Sequence, residues 1–141
     1  QPTKKENFEG LRYVREHCRV AVAADESCFD AYDALRLIRM DACDVINIKL
    51  AKCGLLAAMD IASMCRTANK GLMVGCMMES KIGLSHYVHF ACGLGEFAHL
   101  DLDSVYLLKP FECKGGFTLN GPEFIIEGIE KGTGIEYDPE S

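Results

Sequence analysis

Four short runs, RVAVAAD (19–25), DVINIK (44–49), LMVGCM (72–77) and FAHLDLD (97–103), recur at nearly equal intervals, with helical periodicity between them. No other feature constrains the fold as much. Apolar runs that do not alternate with polar residues suit strands buried on both faces, as in parallel sheets with helical connections. The intervening segments fit that role. Residues 27–40 open at Ser27, a residue type that caps helices, and set Ala31, Ala34, Leu35 and Ile38 on one face. Residues 54–69 are rich in Ala and Met and stop near Asn69 and Gly71, and residues 80–95 carry a weaker helical pattern. A leading segment, 5–18, spaces Phe8, Leu11, Val14 and Cys18 helically. The expected order is a helix followed by βαβαβαβ, an α/β chain with a parallel sheet. Equal units favour a closed (β/α)8 barrel over a doubly wound sheet. A full barrel takes roughly 250 residues, so the 141 residues here make about half of one.

Past Asp103 the character changes. Residues 111–141 are rich in glycine and acid, with the turn signals GG, NGP and GTG. They read as a returning tail of short strands. The expected division is therefore a half-barrel over 1–110 and a tail over 111–141.

Composition narrows the function classes. A net charge of −6 and the lack of a basic stripe argue against nucleic acid as a partner. No apolar run is long enough to span a bilayer, which argues against a membrane. Eight cysteines without a CxxC pair, most of them inside apolar segments, read as reduced thiols in a cytoplasmic protein rather than a disulfide framework or a zinc site.

Ligands of parallel α/β folds bind at the carboxyl edge of the sheet, because the strand interiors are closed by packing. The runs here end in Asp25-Glu26, in Lys49, in Cys76 to Glu79, and in Asp101 with Asp103. A lysine in a shared pocket loses solvation, which lowers its pKa and makes it a candidate proton acceptor. A carboxylate such as Asp25 is a hard ligand for a divalent cation. Duller readings stand beside these. A strand-end lysine also serves as a solvated rim residue, Asp25 could cap the next helix, Asp101 and Asp103 could be loop acids, and Glu79 could be a helix-start charge. The common register of all four ends favours a shared pocket.

ADES at the first strand end, INIKLAKCG at the second, MVGCMMESKIG at the third and DLD at the last resemble the enolase superfamily. More narrowly they resemble the dipeptide epimerases of its muconate-lactonizing subgroup, typified by L-Ala-D/L-Glu epimerases. GGFTLNGPEF and GTGIEY resemble the family's tail, which returns to a capping domain. The resemblance implies strands five to eight of an enolase-type (β/α)8 or (β/α)7β TIM barrel, with Mg2+ as cofactor and a dipeptide as substrate. It implies that Asp25 is a metal ligand, that Lys49 is one of two lysines facing each other across the α-carbon, and that Asp101 and Asp103 receive the α-ammonium. Cys76 and Met78 would line the substrate. The implied reaction is a 1,1-proton transfer through an enediolate.

The departures are specific. The family's remaining metal carboxylates, its second-strand lysine pair and its capping domain have no counterpart in these residues. The expectation is therefore one part of a longer enzyme, inactive without the other barrel half and the capping domain, with a homo-oligomer as an open possibility. Where the family tends to read KCGG, this chain reads KCGL at Lys52 to Leu55, which puts the local turn in question. Two other readings stay open: a muconate cycloisomerase or o-succinylbenzoate synthase, whose substrates lack the ammonium that the DxD pair would bind, and a non-enzymatic α/β binding module.

Overall fold

The structure is a computed structural model that describes residues 1–109 and 113–137. Its residues form two compact units, Gln1–Gly75 with Glu96–Asp101, and Cys76–Gly95 with Leu102–Ser141. Of the expected tail, residues 111, 112 and 138–141 lie outside the described residues.

The first unit holds the sheet. Its strands are β1 (Ala23–Ala24), β2 (Val45–Ile48), β3 (Gly71–Gly75) and β4 (His99–Asp101), and they lie side by side in chain order. Every pairing is parallel, with Ala24 opposite Ile46, Ile48 opposite Val74, and Gly75 opposite Asp101. Its helices are α1 (Phe8–His17), α2 (Ala31–Met40) and α3 (Leu50–Thr67). Ala24, Ile46, Ile48 and Val74 are buried to within 1% of full exclusion, as expected of strands covered on both faces.

Local chemistry sets the element boundaries. At the start of α1, Asn7 Oδ1 accepts from Gly10 N at 2.8 Å, and Phe8 and Leu11 bury the inner face. The α2 cap is Asp30 rather than Ser27. Asp30 Oδ1 accepts from Tyr32 N at 2.9 Å and Asp33 N at 3.0 Å, while the buried Ser27 hydroxyl donates to Lys5 O at 2.7 Å. A carboxylate satisfies two orphan amides at once, which a hydroxyl three residues upstream cannot do. The buried stripe of α2 runs through Ala34 and Leu37, and Leu35, expected inside, is 45% exposed. β1 is shorter than the run 19–25 suggests because Asp44 replaces part of the ladder. Its Oδ2 accepts from Val22 N at 2.8 Å, and its own amide donates to Val22 O at 2.8 Å.

α3 starts at Leu50, four residues earlier than its periodicity predicts, and breaks at Gly54, where φ is 73° and ψ is 170°. That backbone region is almost exclusive to glycine. The turn therefore rests on Gly54 alone, and Leu55, where the family has a second glycine, needs only ordinary helical angles.

All eight cysteines are free thiols. Cys28, Cys43 and Cys65 fill the core, and burial pushes their pKa values up to about 12, 11 and 12. Cys18 and Cys92, expected inside their helices' apolar faces, are exposed.

The second unit contains α4 (Lys81–Leu94), α5 (Ser104–Leu107) and an antiparallel hairpin of β5 (Thr118–Asn120) and β6 (Glu123–Ile125), which are short strands of the expected tail. Leu84, Val88 and Phe90 bury one side of α4, and the helix ends on Gly95 in the left-handed conformation. His89 Nε2 bonds Gly116 O at 3.0 Å and so ties the tail to this helix. Among the described residues no helix is long and apolar enough to cross a membrane.

Candidate active site

The register of the sheet places the chemistry at its carboxyl edge. One step beyond Ala24↔Ile46, Asp25 stands level with Asn47. One step beyond Ile48↔Val74, Lys49 stands level with Gly75, which itself pairs with Asp101. Residues in register on a pleated sheet share a face. A Cβ added to Gly75 would lie 2.9 Å from the Asn47 amide and 3.2 Å from Lys49 Cε, so the glycine leaves the space that the lysine side chain uses. Asp101 occupies the same row and is exposed.

Asp25 is the hub. Lys49 Nζ lies 3.1 Å from its Oδ2 and Lys52 Nζ lies 3.0 Å from its Oδ1. Asp25 does not cap α2, whose cap is Asp30. Burial pushes the Asp25 carboxyl pKa up, but the hydrogen bond and charge of Lys52, followed by those of Lys49, outweigh it and hold the group below the usual carboxylate range. The backbone of Asp25 is fixed as well. Gln1 Oε1 accepts from Asp25 N at 2.9 Å and from Ser27 N at 3.0 Å.

Lys52 is the residue that sequence reasoning missed. Its side chain is 2% exposed, against 14% for Lys49. Besides Asp25 Oδ1 it donates to Asp25 O at 2.7 Å and Asn47 O at 3.1 Å. The sequence carried no signal for it, because periodicity starts the helix at residue 54 and leaves Lys52 in a connecting loop, where a lysine reads as solvated. Asn47, two residues before Lys49 on the same face, was also missed. It is 3% exposed, and its Oδ1 is buried without a hydrogen-bond partner. A polar residue in the middle of VINI was the available signal.

The other sequence-predicted residues belong to the second unit. The Cys76 thiol donates to Asp103 Oδ1 at 3.9 Å, Asp103 occupies the N-cap position of α5, and Met78 is 60% exposed. Glu79 is more than a helix-start charge. Its Oε1 accepts from Tyr87 OH at 2.7 Å, and its Oε2 is buried without a hydrogen-bond partner. Glu79, Ser104 and Phe117 line a cavity of about 810 Å³ that none of the six sequence-predicted residues borders.

For a divalent cation, Asp25 offers the right donor, a partly exposed carboxylate held ionised. A hard cation takes about six oxygen ligands, and no cluster of three acidic, His or Cys side chains occurs among the described residues. Asp25 therefore fits as one contributor to such a shell.

Comparison with known proteins identifies the family. The family model described as Enolase C-terminal domain-like matches residues 1–141. An L-Ala-D/L-Glu epimerase of Thermotoga maritima is 42% identical over 90% of this chain and 37% of its own length. A hydrophobic dipeptide epimerase of Enterococcus faecalis is 40% identical over 97% of this chain and 39% of its own. Among solved structures, a mandelate racemase/muconate lactonizing enzyme from Roseiflexus sp. superposes with a TM-score of 0.93 at 45% identity, covering 96% of this chain and 39% of that one. The dipeptide epimerase of E. faecalis V583, complexed with Mg and the dipeptide L-Leu-L-Tyr, superposes with a TM-score of 0.90 at 40% identity, covering 97% and 39%. The chain belongs to the enolase C-terminal domain-like family, with the α/β, parallel-sheet architecture of enolase-superfamily barrels. It spans less than two-fifths of the length of these two curated relatives.

Proposed function

We propose that these residues form the strand five-to-eight part of an Mg2+-dependent dipeptide epimerase. The contact between Asp25 and Lys49 at the carboxyl edge of the parallel sheet carries this reading. It sets a carboxylate of the type that binds hard cations 3.1 Å from a candidate base. The solved relative with Mg and L-Leu-L-Tyr supports the choice of cofactor and substrate class.

In this mechanism Lys49 takes the α-proton of the dipeptide's second residue. A lysine on the opposite face, outside the described residues, donates a proton to the resulting enediolate and inverts the centre. Asp25 supplies one oxygen to the Mg2+ shell. Held there, the cation would supply positive charge that makes a C–H next to a carboxylate more acidic. Asp101 and Asp103 select a free α-ammonium by opposite charge, and Cys76 and Met78 line the substrate. The same reading assigns residues 1–110 to the barrel and 111–141 to a tail that packs on a capping domain. It places the enzyme in the cytoplasm.

The test uses the protein with the rest of the barrel and the capping domain supplied, in one polypeptide or added as a second. It is incubated with Mg2+ and a panel of dipeptides, their N-acetyl derivatives and cyclic lactone-forming acids. Epimerisation of free dipeptides with loss on N-acetylation is the expected result. Turnover of the cyclic acids alone, or equal turnover of free and N-acetylated dipeptides, contradicts the proposal.

A further inference from the structure

Lys49 and Lys52 both reach Asp25, but in different ways. Lys52 is all but excluded from solvent, and its three N–H bonds meet three acceptors: Asp25 O at 2.7 Å, Asp25 Oδ1 at 3.0 Å and Asn47 O at 3.1 Å. It has no donor left for a ligand. Two of its acceptors are main-chain carbonyls, one in β2 and one just past the end of β1, so the ammonium ties these neighbouring strands together at the point where the carboxylate emerges. Gln1 holds the Asp25 amide. With amide, carbonyl and Oδ1 all engaged, the freedom left to Asp25 is at Oδ2, where the partner is the more accessible Lys49.

We propose that Lys52 is a positioning residue that permanently occupies Oδ1 of Asp25 and its flanking carbonyls, so that Oδ2 alone is presented to a divalent cation. The inference rests on the proposed function and goes beyond it. Of two lysines three residues apart, one acts on substrate and the other aims the metal ligand. Replacing Lys52 with a neutral residue leaves Asp25 Oδ1 without its donor in a largely buried place, while Asp25 O keeps only the Cys28 amide at 3.0 Å, and the carboxylate turns to find another partner. Arginine does not substitute, because its planar fork cannot direct three N–H bonds from one point.

The test is calorimetric titration of Mg2+ alone into the protein with its complete barrel, comparing the parent with Lys52→Met and Lys52→Arg, with folding checked by circular dichroism. Both variants should bind Mg2+ at least tenfold more weakly. Activity assays should show the Mg2+ concentration for half-maximal rate rising by the same factor, with kcat at saturating Mg2+ falling less. Unchanged affinity in a folded variant overturns the proposal. If neither variant folds, a crystal structure of the unaltered Mg2+-loaded protein decides. The expected result is the ion on Oδ2 with Lys52 still bonded to Oδ1, and an ion on Oδ1 or on both oxygens overturns it. Absence of Mg2+ binding by the parent removes the functional reading and this inference with it, whereas equal affinity in parent and variants removes this inference alone.

Discussion

Asp25 concentrates the chemistry of the first unit into one carboxylate with two cations. Its folded pKa lies below the unfolded value of about 3.9. A depressed carboxylate stabilises the fold at pH above the unfolded pKa, and that contribution is lost as pH falls through the folded pKa. Asp41, next to Lys70 and Arg15, and Asp44, next to the Val22 amide and Arg15, are shifted the same way. The protein should therefore lose stability from about pH 4 downward. In Asp25→Asn part of that acid dependence should vanish, as read from urea unfolding midpoints measured between pH 7 and pH 3. An unchanged pH slope in the variant would mean that the lysines do not hold the carboxylate. Asp25 and Lys49 were legible in the sequence because a charge at the end of an apolar run has few places to go in a parallel fold. Lys52 was not, since it precedes the helix that periodicity predicts and reads there like any solvated loop lysine, and only the fold shows that its turn faces the sheet's edge.

At the scale of elements, α3 carries the largest difference between pattern and structure. Periodicity starts the helix at Gly54, yet the chain turns helical at Leu50 and breaks at Gly54. Hydrophobic spacing registers the buried face, which begins at Ala58, and is silent about a polar first turn. The break is what lets Lys49 and Lys52 belong to a short opening turn whose direction differs from the rest of α3. Space is not the constraint at Gly54, because a Cβ there would meet nothing within 4 Å. Gly54→Ala should therefore cost about 1–3 kcal/mol through backbone strain alone, visible as a lower denaturant midpoint with an unchanged m-value. A cost near zero would show that the turn tolerates side chains. The α2 cap was misplaced for a related reason. Ser27 and Asp30 are both capping residue types, and the choice between them depends on Lys5, which claims the serine hydroxyl from far along the chain.

The molecule as a whole was the most legible level. Equal βα spacing gave the parallel order, and the sheet has that order, with neighbours in sequence. Burial of individual cysteines was less so, because a helix's periodicity shows which residues share a face but not how much of that face is covered. The structure makes a prediction on this point. Brief treatment with a thiol-alkylating reagent near neutral pH should label Cys18 and Cys92 and spare Cys28, Cys43 and Cys65, which are buried and held as thiols. Mass spectrometry of the digested protein reads the outcome, and labelling of Cys43 or Cys65 at the rate of Cys18 would mean that the core is open.

The proposed epimerisation depends on Lys49, beside Asp25, moving the α-proton of a dipeptide. Deuterium incorporation measures this directly. A free dipeptide such as L-Ala-L-Glu is incubated in D2O with Mg2+ and the protein carrying its complete barrel, and the α-position of the second residue is followed by NMR. Exchange with inversion is expected, abolished by chelating the Mg2+ and reduced ~100-fold or more in Lys49→Ala. Exchange that persists undiminished in Lys49→Ala, or that never occurs in the parent, would contradict it.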